Sequence, residues 1–89
     1  MEMKIKTWII DKAQIEAKRY NTWFDFSRRT DGIAREPLVE DDCYYMNVTE
    51  IIKETEKAVQ IKLSSGECDG SFNGWTLWVP KSQIMENNI

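Results

Sequence analysis

Residues 46–84 read MNVTEIIKETEKAVQIKLSSGECDGSFNGWTLWVPKSQI, and three runs in and next to this stretch alternate polar and apolar residues with the two-residue period of a β-strand. Residues 58–63 form the clearest run, with an inner face of Val59, Ile61 and Leu63. The last run ends at Pro80, because proline has no backbone N–H to donate to a sheet. Its inner face would consist of Trp75, Leu77 and Val79.

The first run, which starts after Cys43, keeps one apolar face only if a bulge absorbs Glu50. That face would consist of Tyr44, Met46, Val48 and Ile52. Residues 55–57 and the glycine-rich stretch 64–74 supply the two connections. We therefore predict a β-meander with a C-terminal helical turn over residues 43–85, followed by a tail at 86–89.

Residues 1–26 predict a strand followed by an amphipathic helix. Alternation over residues 3–9 places Lys4, Lys6 and Trp8 on the outer face of the strand. Asp11 is suited to cap a helix of roughly ten to fifteen residues, and residues 23–26 would be extended. The apolar face of the helix would consist of Ile10, Ala13, Ala17, Tyr20 and Phe24. Of the large aromatic residues, we expect Tyr20, Phe24 and Trp75 to fill the core.

Residues 27–42 read SRRTDGIAREPLVEDD and predict a charged connection. It separates a basic cluster of Arg28, Arg29 and Arg35 from an acidic cluster of Glu40, Asp41 and Asp42. The sum is a single α+β domain over residues 1–89, in which one amphipathic helix packs on a mainly antiparallel, twisted sheet of three or four strands.

Composition limits the class of protein. The chain has 89 residues, of which 42% are hydrophobic and 30% charged, as in one ordinary globular domain. It shows no membrane-spanning run and no signal peptide, so we expect it in the cytoplasm, with both cysteines as free thiols. The formal net charge of −3 argues against a broad phosphate-binding surface and favours a basic partner.

The residue types also argue against catalysis. The chain has no histidine, and its two cysteines cannot by themselves form a four-ligand zinc site. Residues 64–74 lack the Lys-Ser/Thr ending of a phosphate-binding loop. We therefore predict that the protein is not an enzyme and needs no cofactor or metal.

Two segments, Lys53–Val59 (KETEKAV) and Trp78–Ile84 (WVPKSQI), resemble a signature of small proteins encoded by phages and prophages of low-GC Gram-positive bacteria. The resemblance implies a mobile-element origin. Because that family has no settled activity, no functional residue carries over from it. The resemblance further implies a place in the cytoplasm of a host bacterial cell and binding to a host protein, as is common for small acidic phage proteins without catalytic residues. It also implies that the chain could occlude the nucleic-acid channel of a defence nuclease, as some of those proteins do.

We therefore predict a non-enzymatic protein-interaction module, an inhibitor of a host defence nuclease of the anti-CRISPR kind, that binds the basic channel of a host or phage protein through acidic loops. The predicted partner-binding residues are Glu40, Asp41, Asp42, Glu67, Asp69, Phe72, Trp78 and Trp8.

Two alternatives stay open. In the first, the chain binds single-stranded nucleic acid during phage replication or regulation. Trp8 or Trp78 would then stack on bases next to the basic residues Lys62, Lys81, Arg28 and Arg29, although nearby glutamates would repel phosphates. In the second, the chain forms a homodimer through an edge strand.

Overall fold

A computed structural model of the chain describes residues 1–67 and 74–88. In chain order its elements are β1 (Glu2–Lys6), α1 (Thr7–Lys18), β2 (Thr22–Phe24), β3 (Val39–Glu40), β4 (Cys43–Glu54), β5 (Ala58–Leu63), β6 (Ser65–Glu67), β7 (Trp75–Pro80), a 3-10 helix (Lys81–Gln83) and β8 (Ile84–Asn88). The predicted α+β class, with one α-helix on a mainly antiparallel sheet, is confirmed over the described residues. The predicted count of three or four strands is wrong, because the structure has a six-stranded sheet and a separate two-stranded one.

The main sheet has the strand order β7–β5–β4–β1–β8, and the short strand β3 also pairs with β4. All of these pairings are antiparallel. Strands β2 and β6 form the second sheet. The alternation that predicted β5 and β7 is borne out, since Val59, Ile61, Leu63 and Val79 are buried.

The core lies between α1 and the main sheet. From the helix it takes Ile9, Ile10 and Ala17, and from the strands it takes Met3, Ile5, Phe24, Met46, Val48, Val59, Ile61, Leu63 and Val79. Burial of this apolar surface is the main force that holds the helix on the sheet.

The helix begins earlier than predicted. It starts at Thr7, directly after β1, so Asp11 lies inside it and is not its cap, and Trp8 belongs to its first turn rather than to a strand. The backbone N–H of Thr7 donates to the carbonyl of Asp42 at 2.8 Å. A tertiary contact therefore satisfies a helix N–H group that would otherwise lack a partner. The predicted core position of Tyr20 is wrong, since its ring is exposed.

Irregularities in β4 decide which of two adjacent isoleucines faces the core. The register between β4 and β5 shifts between Val48 and Glu50, as expected, and shifts again between Ile51 and Lys53. Because the first shift reverses the side-chain alternation, Ile51 lies opposite Ile61 and packs against the core, whereas Ile52 is exposed, contrary to the prediction.

Three segments are more ordered than predicted. Residues 84–88, expected as the end of a helical turn and a tail, form β8 and pair with β1. Part of the expected 64–74 connection forms β6. Residues 27–42 fold back on themselves through a bridge between Arg29 and Pro37 and end in β3. In the part of the chain that the structure describes, no helix is long and apolar enough to cross a membrane.

Candidate functional site

The acidic cluster forms a tight hairpin turn. Glu40 ends β3 and pairs with Cys43, the first residue of β4. Between them, Asp41 and Asp42 both have positive φ angles, of 54° and 57°. Left-handed backbone at both central positions is what a two-residue type I′ hairpin requires, and Asp is one of the residues that tolerate it. The cluster therefore has a structural reason for its sequence.

Two carboxylates of this turn bind a buried lysine. The Lys4 ammonium donates to Asp41 Oδ2 at 2.9 Å and to Glu40 Oε1 at 3.3 Å. Lys4 lies on the face of β1 opposite the core residues Met3 and Ile5, as predicted, but it is only 6% exposed because the turn covers that face. Tyr45 lies next to the lysine and donates its hydroxyl to Glu40 at 3.1 Å. Burying a charge is costly unless it is paired, so the two carboxylates make the burial of Lys4 tolerable.

The pKa shifts in this network follow from its contacts. The hydrogen bond to Asp41 raises the pKa of Lys4, and the same contact lowers the pKa of Asp41. Burial, reinforced by the hydrogen bond to Glu40, raises the pKa of the Tyr45 phenol. All three shifts favour the paired state at neutral pH, in which Lys4 is positive, Asp41 is negative and Tyr45 is neutral.

A groove of about 350 Å³ runs between α1 and β7. One wall is a helical stripe at intervals of four, made of Trp8, Lys12 and Glu16. Residues of β7 that line the groove are Trp75, Thr76, Leu77, Trp78 and Pro80. Consecutive strand residues point to opposite faces, so a groove lined by 75–78 follows the edge of the strand rather than one face of the sheet. We call it the tryptophan groove.

The predicted binding residues Trp8 and Trp78 both line this groove. Trp8 is 56% exposed and Trp78 is 47% exposed. The indole N–H of Trp8 donates to Gln83 Oε1 at 3.3 Å, which ties its ring to the 3-10 helix after β7. Trp75, expected in the core, is half-buried between Tyr20 and Phe24 and also reaches the groove. A helix that begins at Thr7 places Trp8, Lys12 and Glu16 on one face, so a correct prediction of the helix start would also have predicted this stripe.

Two of the four basic residues named for nucleic-acid binding, Lys81 and Arg28, have acidic partners. Lys81 Nζ lies 2.7 Å from a Glu54 carboxylate oxygen, and Arg28 makes two contacts of 2.9 and 3.1 Å with Glu2. The Arg28 guanidinium also stacks 4.0 Å above the Tyr45 ring. These pairs neutralise the charges that would have drawn phosphates.

The remaining predicted site residues are placed in part. Glu67 ends β6, opposite Thr22, while Asp69 and Phe72 lie outside the described residues. Across residues 1–67 and 74–88, no three His, Cys, Asp or Glu side chains gather in a way that could hold a metal ion. Cys43 is free and buried, and burial raises the pKa of its thiol.

The tryptophan groove and the acidic turn are therefore distinct features, and the groove is the candidate site. No protein-family model, curated protein or solved structure matches the chain.

Proposed function

We propose that the chain is a non-enzymatic protein-interaction module whose partner binds in the tryptophan groove. The observation that carries this proposal is that two largely exposed tryptophans, Trp8 and Trp78, line one groove. Large exposed aromatic side chains are unfavourable in water and are enriched at protein interfaces, where they often supply much of the binding energy.

The groove suits a partner that inserts an apolar side chain between the two indoles. Lys12 and Glu16 on the helical wall provide one charge of each sign for a polar rim around that contact. The net charge of −3 would speed the approach of a basic partner. Inhibition of a host defence nuclease remains a proposal that rests on the phage resemblance. In this proposal the nuclease contacts the chain at the tryptophan groove.

The acidic turn is a weaker candidate for direct contact. Two of its carboxylates already bind Lys4, so a basic partner would have to compete with a buried lysine for them. Replacing them would also leave Lys4 unpaired. A loss of binding after such a replacement could therefore report a damaged fold rather than a lost contact.

The test is retention of proteins from a host lysate on the immobilised chain, with wild type compared to Trp8→Ala and Trp78→Ala. Trp23→Ala is the matched control, because Trp23 is 46% exposed but lies in β2, outside the groove. We expect a partner that wild type and Trp23→Ala retain and that both groove variants lose. Equal retention by all four proteins would contradict the proposal. Circular dichroism of each variant checks that it is folded.

Single-stranded oligonucleotides separate this proposal from the nucleic-acid alternative. In a titration at low salt followed by tryptophan fluorescence, we expect no change, because Lys81 and Arg28 are paired with carboxylates. Quenching that fades as salt is added would instead favour base stacking next to phosphates.

A further inference from the structure

The pattern of hydrogen bonds between β5 and β7 shows which backbone groups of β7 point away from β5. The Lys81 N–H donates to the Lys57 carbonyl at 2.8 Å, immediately after the paired residue Pro80. In an antiparallel ladder, hydrogen-bonded pairs alternate with pairs that are not bonded to each other. The bonded pairs are therefore Val59 with Val79, Ile61 with Leu77, and Leu63 with Trp75. The N–H and C=O groups of Thr76 and Trp78 point away from β5.

The position of Pro80 agrees with this pattern. Residues 76, 78 and 80 all direct their backbone groups away from β5, so the missing N–H of Pro80 removes no hydrogen bond to β5. Among the described residues β7 has β5 as its only strand neighbour. Within residues 1–67 and 74–88, the outward groups of Thr76 and Trp78 therefore form a short row that no strand pairs with.

The two edges of the main sheet differ in how they are protected against pairing. In the opposite edge strand, β8, the register with β1 is broken by an irregularity between Lys4 and Ile5. Charges and bulges are common means of blocking an exposed edge. In contrast, β7 reads WTLWVP, has no charged residue, and pairs with β5 in unbroken register. Pro80 protects only one end of it.

We infer that β7 pairs with β7 of a second copy of the chain, whose strand would then lie along the edge that lines the tryptophan groove. Thr76 of one copy would lie opposite Trp78 of the other, and each pair would exchange both of its N–H···O bonds around a two-fold axis at Leu77. The edge is therefore self-complementary, and every outward N–H of Thr76 and Trp78 obtains an acceptor.

The symmetry determines what happens to the groove. Two identical edge strands that pair antiparallel continue one sheet, and their two-fold axis is perpendicular to it, so both α1 helices lie on the same side. The helical stripes of Trp8, Lys12 and Glu16 would then face each other across the paired strands. The strand pairing needs no other partner, and it would compete for this edge with the partner of the proposed function, on which that competition rests.

The contact is small. A tryptophan side chain buries about 150–250 Å² when fully covered, and here only about half of Trp8 and of Trp78 is available in each copy. The total falls well below the roughly 1,200 Å² of a stable interface. We therefore expect the dissociation constant of the dimer to be higher than about 1 μM, so that the dimer is populated only at high protein concentration.

Sedimentation equilibrium from about 10 μM to 1 mM tests the inference. We expect the mean mass of wild type to rise toward that of a dimer, and Thr76→Pro to weaken the association roughly tenfold or more, because it deletes an outward N–H in each copy. This substitution leaves the β5 ladder intact, as Pro80 does in the same strand. Thr76→Val keeps the N–H and should dimerise like wild type.

A second variant tests the strand pairing without introducing a proline, which by itself can disturb folding. Thr76→Lys keeps the backbone donor but brings two like charges close to the two-fold axis, so its dimer should also be weaker and should recover with added salt. A wild type that stays monomeric to 1 mM, or a folded Thr76→Pro that associates like wild type, would overturn the dimer. A monomer that still retains a partner through Trp8 would overturn the dimer and leave the proposed function standing.

Discussion

Replacing Asp42 with glycine should stabilise the protein, although it removes a residue of the conspicuous acidic cluster. Asp42 has a φ of 57°, in the left-handed region, and its backbone carbonyl caps Thr7. Left-handed backbone costs an L-residue about 1–2 kcal/mol, which glycine avoids. Glycine in turn loses about 0.5–1 kcal/mol more conformational entropy on folding. Because local hydrogen bonding lowers the left-handed cost for Asp, the expected net gain in the free energy of unfolding is at most about 1 kcal/mol, or a melting temperature higher by up to about 8 °C.

Asp42→Ala is the matched control for this prediction. Both substitutions remove the same carboxylate and keep the carbonyl that binds Thr7, so their electrostatic effects are equal. Alanine at this position would also have left-handed backbone but lacks the local hydrogen bonding that stabilises Asp there. Asp42→Ala should therefore destabilise the protein. Thermal and urea unfolding followed by circular dichroism measure both variants. Equal shifts for glycine and alanine would refute the conformational reasoning and make charge the cause.

Two further predictions concern the alkaline limit of stability and the connection before β7. Burial and the hydrogen bond to Asp11 raise the pKa of Tyr44 from 10.0 to about 12, so its stabilising contribution is complete below pH 10 and is lost as pH rises through about 12. Tyr44→Phe should therefore show a shallower loss of stability over that range in unfolding experiments at stepped pH. Gly74→Ala should cost about 1–2 kcal/mol in urea unfolding, because φ is +79° and an added Cβ would lie 3.2 Å from the Leu63 carbonyl oxygen. Gly32→Ala, which meets no atom closer than 3.9 Å, is the control and should change stability little.

The sheet was predictable where the strand period is unbroken. Val59, Ile61 and Leu63 are buried because strict alternation leaves one consistent apolar face. The same logic fails in β4, where two adjacent isoleucines offer no pattern of their own. The register shift between Val48 and Glu50 decides between them, because it places Ile51 opposite the buried Ile61 in the pairing with β5.

The helix start and the burial of Lys4 were beyond local reasoning. The Thr7 N–H finds its acceptor in Asp42, and Lys4 finds its carboxylates in Glu40 and Asp41. Both contacts join residues more than thirty positions apart in sequence, so no local pattern predicts them. Read alone, a lysine in an alternating strand indicates a solvent face.

The candidate site was predictable only in part. Alternation in β7 placed Trp78 outward, and the structure agrees. Trp8 was also assigned to the outer face of a strand, but it lies in the first turn of a helix. What the sequence did not indicate is that the two indoles share a groove, because that depends on where α1 crosses the edge of the sheet.

The place of β1 in the sheet has a consequence for the speed of folding. Glu2 lies opposite Asn47 on one side and opposite Asn88 on the other, so this strand is completed by segments far along the chain. The hairpin of β4 and β5 closes through a short turn, whereas the pairing of β1 with β8 must first overcome the entropy of closing nearly the whole chain into a loop. Domains dominated by such distant pairings fold in milliseconds to seconds rather than microseconds. During that interval the β4–β5 hairpin would form early, while β8 would close the far side of the sheet last.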